Sequence, residues 1–534
     1  MSGRNAGLSW TQAAESRLQS HLNLLAAAIL LAGLVLRLHA AWGTFLNPDE
    51  ALHFLTANQA SLAAVYRESL NTAHPPLLMF VLYFWRGLGS SEFVLRLPSV
   101  TAGTGFCWFF YRWVEGLFGK IAGVAGLVLV ALLPPMIEIS SEIRQYALLL
   151  FFLSASVYFL EKALTQSSLR GMLLCWAFLD LALLTHYAAV FVVASAGAYC
   201  ILRLAFQRPR GRLLVASLSG LASSVALLIF LYRSHIAKMA GSIQTQQAAQ
   251  GWMRNSYYRA GQGNVLLFIF ARTVGVMQFL FGQLAVGDVL FLLFVAGIAL
   301  VFLNCTGRRN FGKCWQLGVL FLLPFALNCA AAIVGKYPYG GTRHCVYLGL
   351  FAIAAISYAL ARIVRNRVGG ALGVALLIVA LCAAFGHPHR PYMMRQDQSK
   401  SYMTHAVEAI QRHISSGGTI VVDSQTGFLL RYYLCPKAPF TDAPVHTLRT
   451  YQCGGYRVIS SPTEIYLYNA ENFLPRWNEV KRDFALPPGD AVWVLQAGWD
   501  VKLASELQTR FPEFHDLQPQ SFGQNITLFK LVVR

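Results

Sequence analysis

Charged side chains are scarce in this chain. Asp, Glu, Lys and Arg make up 13% of its 534 residues, about half the share found in a typical soluble protein. Acids are the scarcer sign, 24 against 43 Lys and Arg, which leaves a net charge of +19. No C-x-x-C pair occurs among the ten cysteines, so nothing has zinc-site spacing. No G-x-G-x-x-G occurs either, which removes the dinucleotide fingerprint. The stretch Gly307–Cys314 has P-loop spacing, but Cys314 stands where a Ser or Thr would bind magnesium. It also joins two apolar segments rather than a strand and a helix, so nucleotide binding is not expected there.

Apolar residues are abundant, at 56%. Runs of roughly 17–25 apolar residues recur from Leu22 to Phe385, each long enough to cross a hydrocarbon core of about 30 Å. After Gly386 they stop, and polar residues return. A net positive charge of this size could attract nucleic acid. Here the cations lie in short loops between apolar runs, the positive-inside pattern, so no nucleic-acid partner is expected.

Arg4 and Arg17 precede the run Leu22–Leu36, and no small-residue cleavage site follows, so a retained first helix is expected. Thirteen segments are apolar enough to consider as crossings. Three basic clusters decide among them: Arg203 to Arg212, Arg308 to Lys313, and Arg362 to Arg367. All three fall on the cytoplasmic side only if 75–90 and 265–284 stay in the outer interface. Eleven crossings then remain, at roughly 22–42, 95–112, 117–135, 145–161, 169–186, 187–205, 213–232, 286–304, 315–334, 345–362 and 369–386. The outer loops are 43–94, 136–144, 233–285 and 335–344.

The expected organisation is a cytoplasmic N-terminus over 1–21, a polytopic helical membrane domain over 22–386 and an extracytoplasmic domain over 387–534. In the last, Met403–Ile414 and Val501–Arg510 read as helices. Thr419–Asp423, Ala491–Gln496 and Ile526–Val533 read as strands, a small α/β domain with no legible strand order. Cys107, Cys175, Cys200, Cys329, Cys345 and Cys382 lie in or beside apolar runs, where a thiol is a small packing residue. Cys435 and Cys453 could pair if the polar tail lies outside.

Three polar groups fall on the outer face. In Asn47-Pro48-Asp49-Glu50, Asn47 and Glu50 have the spacing of a capping box, with Pro48 at the first helical position. The cap has no use for Asp49. The second group is Ser141-Glu142-Ile143-Arg144-Gln145-Tyr146, with Glu138 upstream; the third is Lys336–His344, an aromatic, glycine-bearing basic loop that could hold a phosphate. Taken singly, a solvated loop and a tight turn explain these two groups as well as function does.

With His74-Pro75-Pro76-Leu77, Arg96-Leu97-Pro98-Ser99 and Thr185-His186-Tyr187, these motifs form an ordered set over about residues 25–365. The set resembles the GT-C glycosyltransferases that use polyprenyl-phosphate sugars, the protein O-mannosyltransferase and lipid A aminoarabinose transferase group, family 39. The chain lacks the β-trefoil of eukaryotic protein mannosyltransferases and the Trp-Trp-Asp-Tyr-Gly signature of oligosaccharyltransferases, so glycan, lipid and protein acceptors all stay open. The resemblance implies Asp49 as catalytic base and Glu142 as the second acid. It implies His74, Arg96 and Arg343 near the donor phosphate, with Arg254 and Arg259 in the aromatic stretch Trp252–Arg259 either there or as interfacial anchors. Glu50, Arg144, Tyr146, His186 and Tyr339 would support the acceptor or the loops.

No metal ligand set is assigned. Asp49 with Glu142 could hold a divalent cation, though no oxygen-ligand spacing demands one. The expected partners are a polyprenyl-phosphate sugar, its acceptor and membrane lipids, and the expected location is a bacterial inner membrane. A transporter of lipid-linked sugars and an inactive glycan-lipid-binding relative are the competing readings. The first would concentrate ionisable groups inside the bilayer and show repeated halves, and neither is visible.

Overall fold

The computed structural model describes the chain apart from residues 1–2, 207–210, 240–242, 260, 262, 304–310, 365–372, 374–377, 379–397, 436–442, 446, 463–464 and 534. From the N-terminus the helices are α1 (Gly3–Trp42), α2 (Pro48–Ala57), α3 (Leu62–Ser69), α4 (Leu77–Trp85), α5 (Glu92–Phe118) and α6 (Lys120–Leu132). Then come α7 (Pro134–Ile139), α8 (Tyr146–Gln166), α9 (Leu169–Thr185), α10 (Ala189–Phe206) and α11 (Gly211–Leu231). Further helices span Val265–Phe281, Leu284–Leu303, Phe311–Ile333 and Gly349–Ile363. Two compact units result: Met1–Ala40, Thr72–Leu78 and Leu97–Pro391 form one, and Ala41–Asn71, Met79–Arg96 and Tyr392–Arg534 the other.

The first unit is helical. Among the described residues, seven helices are long and apolar enough to cross a membrane, and all ten expected crossings from 22–42 to 345–362 are helical. Most of the eleventh, 369–386, Cys382 included, lies outside the described residues, as do several cluster arginines (Arg208, Arg210, Arg308, Arg309, Arg365 and Arg367). The two segments expected to stay in the interface are short. α4 has nine residues, about 14 Å of helix, and Val265–Phe281 has 17, about 26 Å.

Close helix contacts use small residues, as membrane helix packing requires. A Cβ at Gly297 would come within 2.1 Å of the Ala355 carbonyl oxygen on the helix Gly349–Ile363. Arg37 is the costliest residue in α1, being fully buried. Its guanidinium donates to the carbonyls of Ala131 at 2.8 Å and Val130 at 2.9 Å, the last turn of α6. It therefore satisfies carbonyls that a helix end leaves without partners.

The second unit is built on a seven-stranded mixed sheet. Its strands are β1 (Thr419–Val422), β2 (Ala443–Val445), β3 (Leu448–Cys453), β4 (Tyr456–Ser460), β5 (Ala491–Ala497), β6 (Gln520–Ser521) and β7 (Ile526–Val532). The order is β2-β3-β4-β1-β5-β7-β6. β1 lies parallel to both β4 and β5, and the outer pairs are antiparallel. Helices Ala470–Asp483 and Leu503–Arg510 bury Phe473, Trp477, Val480 and Leu507 against Val421, Ile459, Val494 and Phe529. Cys435 and Cys453 form a disulfide.

The domain expected to begin at 387 takes in residues from far upstream. Gly43 and Phe45 exchange main-chain hydrogen bonds with Lys400 and Gln398, at 3.1 and 3.0 Å. The Tyr433 hydroxyl accepts from the Leu46 amide at 2.7 Å and donates to Glu92 at 3.1 Å. Lys400 pairs with the same Glu92 at 2.9 Å. Residues 41–71 and 79–96 are thus built into the sheet-bearing unit.

Asp423 caps the helix Ser424–Tyr433 from the end of β1. Its carboxylate accepts from the Thr426 amide at 2.8 Å, the Tyr468 amide at 3.1 Å and the Gln496 side chain at 3.3 Å. Burial outweighs these bonds and raises its pKa from 3.8 to about 6. The folded protein then binds the proton more tightly than the unfolded chain between those values. Stability therefore falls as pH rises through that window, by about 3 kcal/mol in all. Asp423→Asn should remove this dependence while adding a pH-independent cost, since its amide faces donors. Melting of the two proteins from pH 4 to 7 should show the variant gaining on the wild type; parallel curves would refute the assignment.

Candidate active site

In the sheet-bearing unit, the candidate residues gather at the N-terminus of α2. Asn47 Oδ1 accepts from the Glu50 amide and Glu50 Oε2 from the Asn47 amide, both at 2.9 Å, completing the capping box read from the sequence. Glu50 has a second task. Arg96 meets it in a two-pronged pair, Nε to Oε1 at 2.8 Å and NH2 to Oε2 at 2.7 Å, with both side chains fully buried.

The remaining Arg96 hydrogens go to the carbonyls of Ala41, Thr44 and Phe45 at 2.8–3.0 Å, and to the Thr44 hydroxyl. Arg96 was expected near the donor phosphate. In the structure its donors go to Glu50 and to the chain leading into α2, and these bonds hold that turn. Asp49 is different. It takes no part in the cap, is half-buried where its neighbours are buried, and accepts from the Tyr466 hydroxyl at 3.2 Å. A carboxylate in the first turn is also favoured by the helix dipole.

In the helical unit, the candidates form a cluster of rings. His186 ends α9, where its Nδ1 accepts from the Ala188 amide at 3.1 Å. It stacks on His74 at 5.7 Å and lies 5.5 Å from Tyr146 and 6.2 Å from His344. Gln145 places its amide nitrogen 3.1 Å from the His74 ring. Arg144 covers the Tyr146 ring at 5.6 Å, and Glu138, Glu142 and Arg144 are all buried. The Tyr146 hydroxyl and the Gln145 side-chain Oε1 are buried with no hydrogen-bond partner among the described residues. Each such atom costs about 1–3 kcal/mol, an arrangement that suits a polar ligand.

Arg343 opens a short 3₁₀ helix, Arg343–Leu348, and is half-buried beside His344. Trp252 stacks on His344 at 6.0 Å while remaining 68% exposed. The turn Arg254–Ser256 is tied to the same loop, because Tyr339 donates its amide to Ser256 at 2.8 Å. Tyr339 is fixed further by a 2.7 Å bond between its hydroxyl and Thr273. Arg254 is exposed and Arg259 half-buried.

The structure therefore gathers His74, Tyr146, His186 and His344, and places Asp49, Glu50 and Arg96 together in the other unit. Among the described residues, no three His, Cys, Asp or Glu side chains converge as a metal site. Sequence reasoning missed Arg37, Gln145 and Tyr466. An arginine at the end of an apolar run was a usable signal for the first; Gln145 stood in the second polar group with no role assigned to it, and Tyr466 carries no signal.

Residues 73–233 match the family described as dolichyl-phosphate-mannose-protein mannosyltransferase. No curated protein matches. Among solved structures, the chain is similar to apo ArnT from Cupriavidus metallidurans at 13% identity, covering 96% of this chain and 98% of ArnT with a TM-score of 0.52. That likeness establishes a shared fold. Weaker similarity extends to the donor-bound Pmt1–Pmt2 O-mannosyltransferase of S. cerevisiae, at 20% identity over 40% of this chain and 33% of that one, TM-score 0.33. It also extends to the Archaeoglobus fulgidus oligosaccharyltransferase tethered to an acceptor peptide, at 12% identity over 93% and 72%, TM-score 0.47.

Proposed function

We propose that this chain, a glycosyltransferase of the GT-C superfamily, moves a sugar from a polyprenyl-phosphate donor to an acceptor hydroxyl on the extracytoplasmic face of a bacterial plasma membrane. The match of residues 73–233 to a family named for a dolichyl-phosphate sugar carries this reading. The matched stretch contains His74, Arg96, Glu142, Arg144, Tyr146 and His186. A disulfide between Cys435 and Cys453 supports an outer location for the sheet-bearing unit, because cytosolic thiols are kept reduced.

In the proposed reaction, Asp49 takes the proton of the acceptor hydroxyl as that oxygen bonds to the anomeric carbon. The bond from that carbon to the phosphate oxygen breaks, the lipid phosphate leaves with the electron pair, and the configuration inverts. The negative charge growing on the phosphate calls for a cation fixed beforehand. Arg343 serves here, since a guanidinium grips two phosphate oxygens at once. Glu142 orients the acceptor. The lipid also solves delivery, because an outer-face site is cut off from cytoplasmic nucleotide sugars.

The test uses the purified full chain in lipid nanodiscs. Undecaprenyl phosphate should raise its melting temperature, by about 2.7 kcal/mol of stabilisation at a hundredfold excess over the dissociation constant. GDP-mannose should not. Given a panel of undecaprenyl-phosphate sugars, the protein should release the lipid phosphate from one of them. Efficient transfer from a nucleotide sugar with no lipid carrier present would sink the proposal.

A further inference from the structure

In an open sheet with parallel strands, ligands bind beyond the carboxyl ends of those strands. The loops leaving β1, β4 and β5 form that edge in the sheet-bearing unit, and they bind one another. Gln425, just after β1, donates to the Trp499 carbonyl at 3.0 Å and accepts from the Trp499 amide at 3.1 Å. The Gln425 amide donates to the Tyr466 carbonyl at 3.0 Å.

What lies against this edge is the first turn of α2. Gly498, after β5, has a φ of +117°, and a Cβ there would stand 2.5 Å from Pro48 Cγ. Tyr466, after β4, reaches Asp49 Oδ1 with its hydroxyl at 3.2 Å. Farther along, Phe54 of α2 meets Tyr432 edge to face at 5.3 Å. Asp49 thus sits where such a sheet would hold a ligand.

We propose that Tyr466 is a positioning residue for Asp49. The phenol donates to one carboxylate oxygen, which aims the carboxylate and, as a hydrogen bond to the charged form, favours that form. The sheet-bearing unit would then supply the base together with the group that aims it. This inference rests on the assignment of Asp49 as base. Its backbone logic is direct: the Tyr466 main chain is pinned by Gln425, so the hydroxyl comes from a fixed point. Glu50 and His53 on α2 and Arg96 on α5 are further ionisable groups at this turn. None of them is changed in the test.

The test reads Asp49 without needing a substrate. A water-soluble carbodiimide with an added amine modifies protonated carboxyl groups, and peptide mass spectrometry quantifies modification at Asp49 in the full chain across pH. In Tyr466→Phe the pH of half-maximal modification should rise by about one unit, since a donor to the charged form is lost. Incorporating 3-fluorotyrosine at position 466 keeps the ring and hydroxyl but strengthens the donor, so the midpoint should move down. That second variant also serves if the phenylalanine protein does not fold. A purely structural role would change the extent of modification and leave its midpoint in place. Unchanged midpoints would overturn the role of Tyr466 alone, whereas sugar transfer surviving in Asp49→Asn would overturn the assignment of the base.

Discussion

Asp49→Asn should cut sugar transfer by about 10²–10⁴-fold, the usual worth of general-base help, while the protein stays folded. The second half of that expectation comes from the capping box. Asn47 and Glu50 satisfy the first turn of α2 without Asp49, so the substitution removes no structural bond of the cap. An amide of nearly the same shape can still accept from Tyr466, but it cannot accept the hydroxyl proton. Binding of undecaprenyl phosphate, followed by melting temperature, should therefore survive when turnover does not. Near-normal turnover in Asp49→Asn, together with an inactive Glu142→Gln, would show that the two acids have been given each other's roles.

Arg96→Met should lower stability by about 3–5 kcal/mol, because it leaves a buried carboxylate without its cation. Glu50 is fully buried, and the Asn47 amide contributes only one bond to it. The carbonyls of Ala41, Thr44 and Phe45 lose their donors in the same step. The double variant Arg96→Met with Glu50→Gln should recover part of the loss, since it removes the stranded charge. Melting of the single variant at the wild-type temperature would show that the pair contributes nothing. A lowered melting temperature with unchanged affinity for undecaprenyl phosphate would separate Arg96 from donor binding.

The two arginines of the outer motifs show what kind of fact a sequence can carry. Arg96 and Arg343 both stand in short motifs, and both were read as phosphate ligands. Whether an arginine meets a ligand or a carboxylate depends on what the fold brings to it, and Glu50 lies 46 residues away from Arg96. The Asn47 cap was legible because both of its partners lie within one helical turn. Tyr466 was not, because 417 residues separate it from Asp49 and nothing local marks either as the other's partner.

The same division runs through the fold. Apolar length determined the membrane character and marked ten helical segments, since burial in hydrocarbon is decided by local composition. Short apolar runs also marked β1, β5 and β7 as strands. Sheet order and the recruitment of residues 41–71 and 79–96 into the C-terminal unit were decided only in three dimensions. Strand pairing is set by which hydrophobic faces and edges meet across long separations, and a carboxylate such as Asp49 acquires its setting from that meeting.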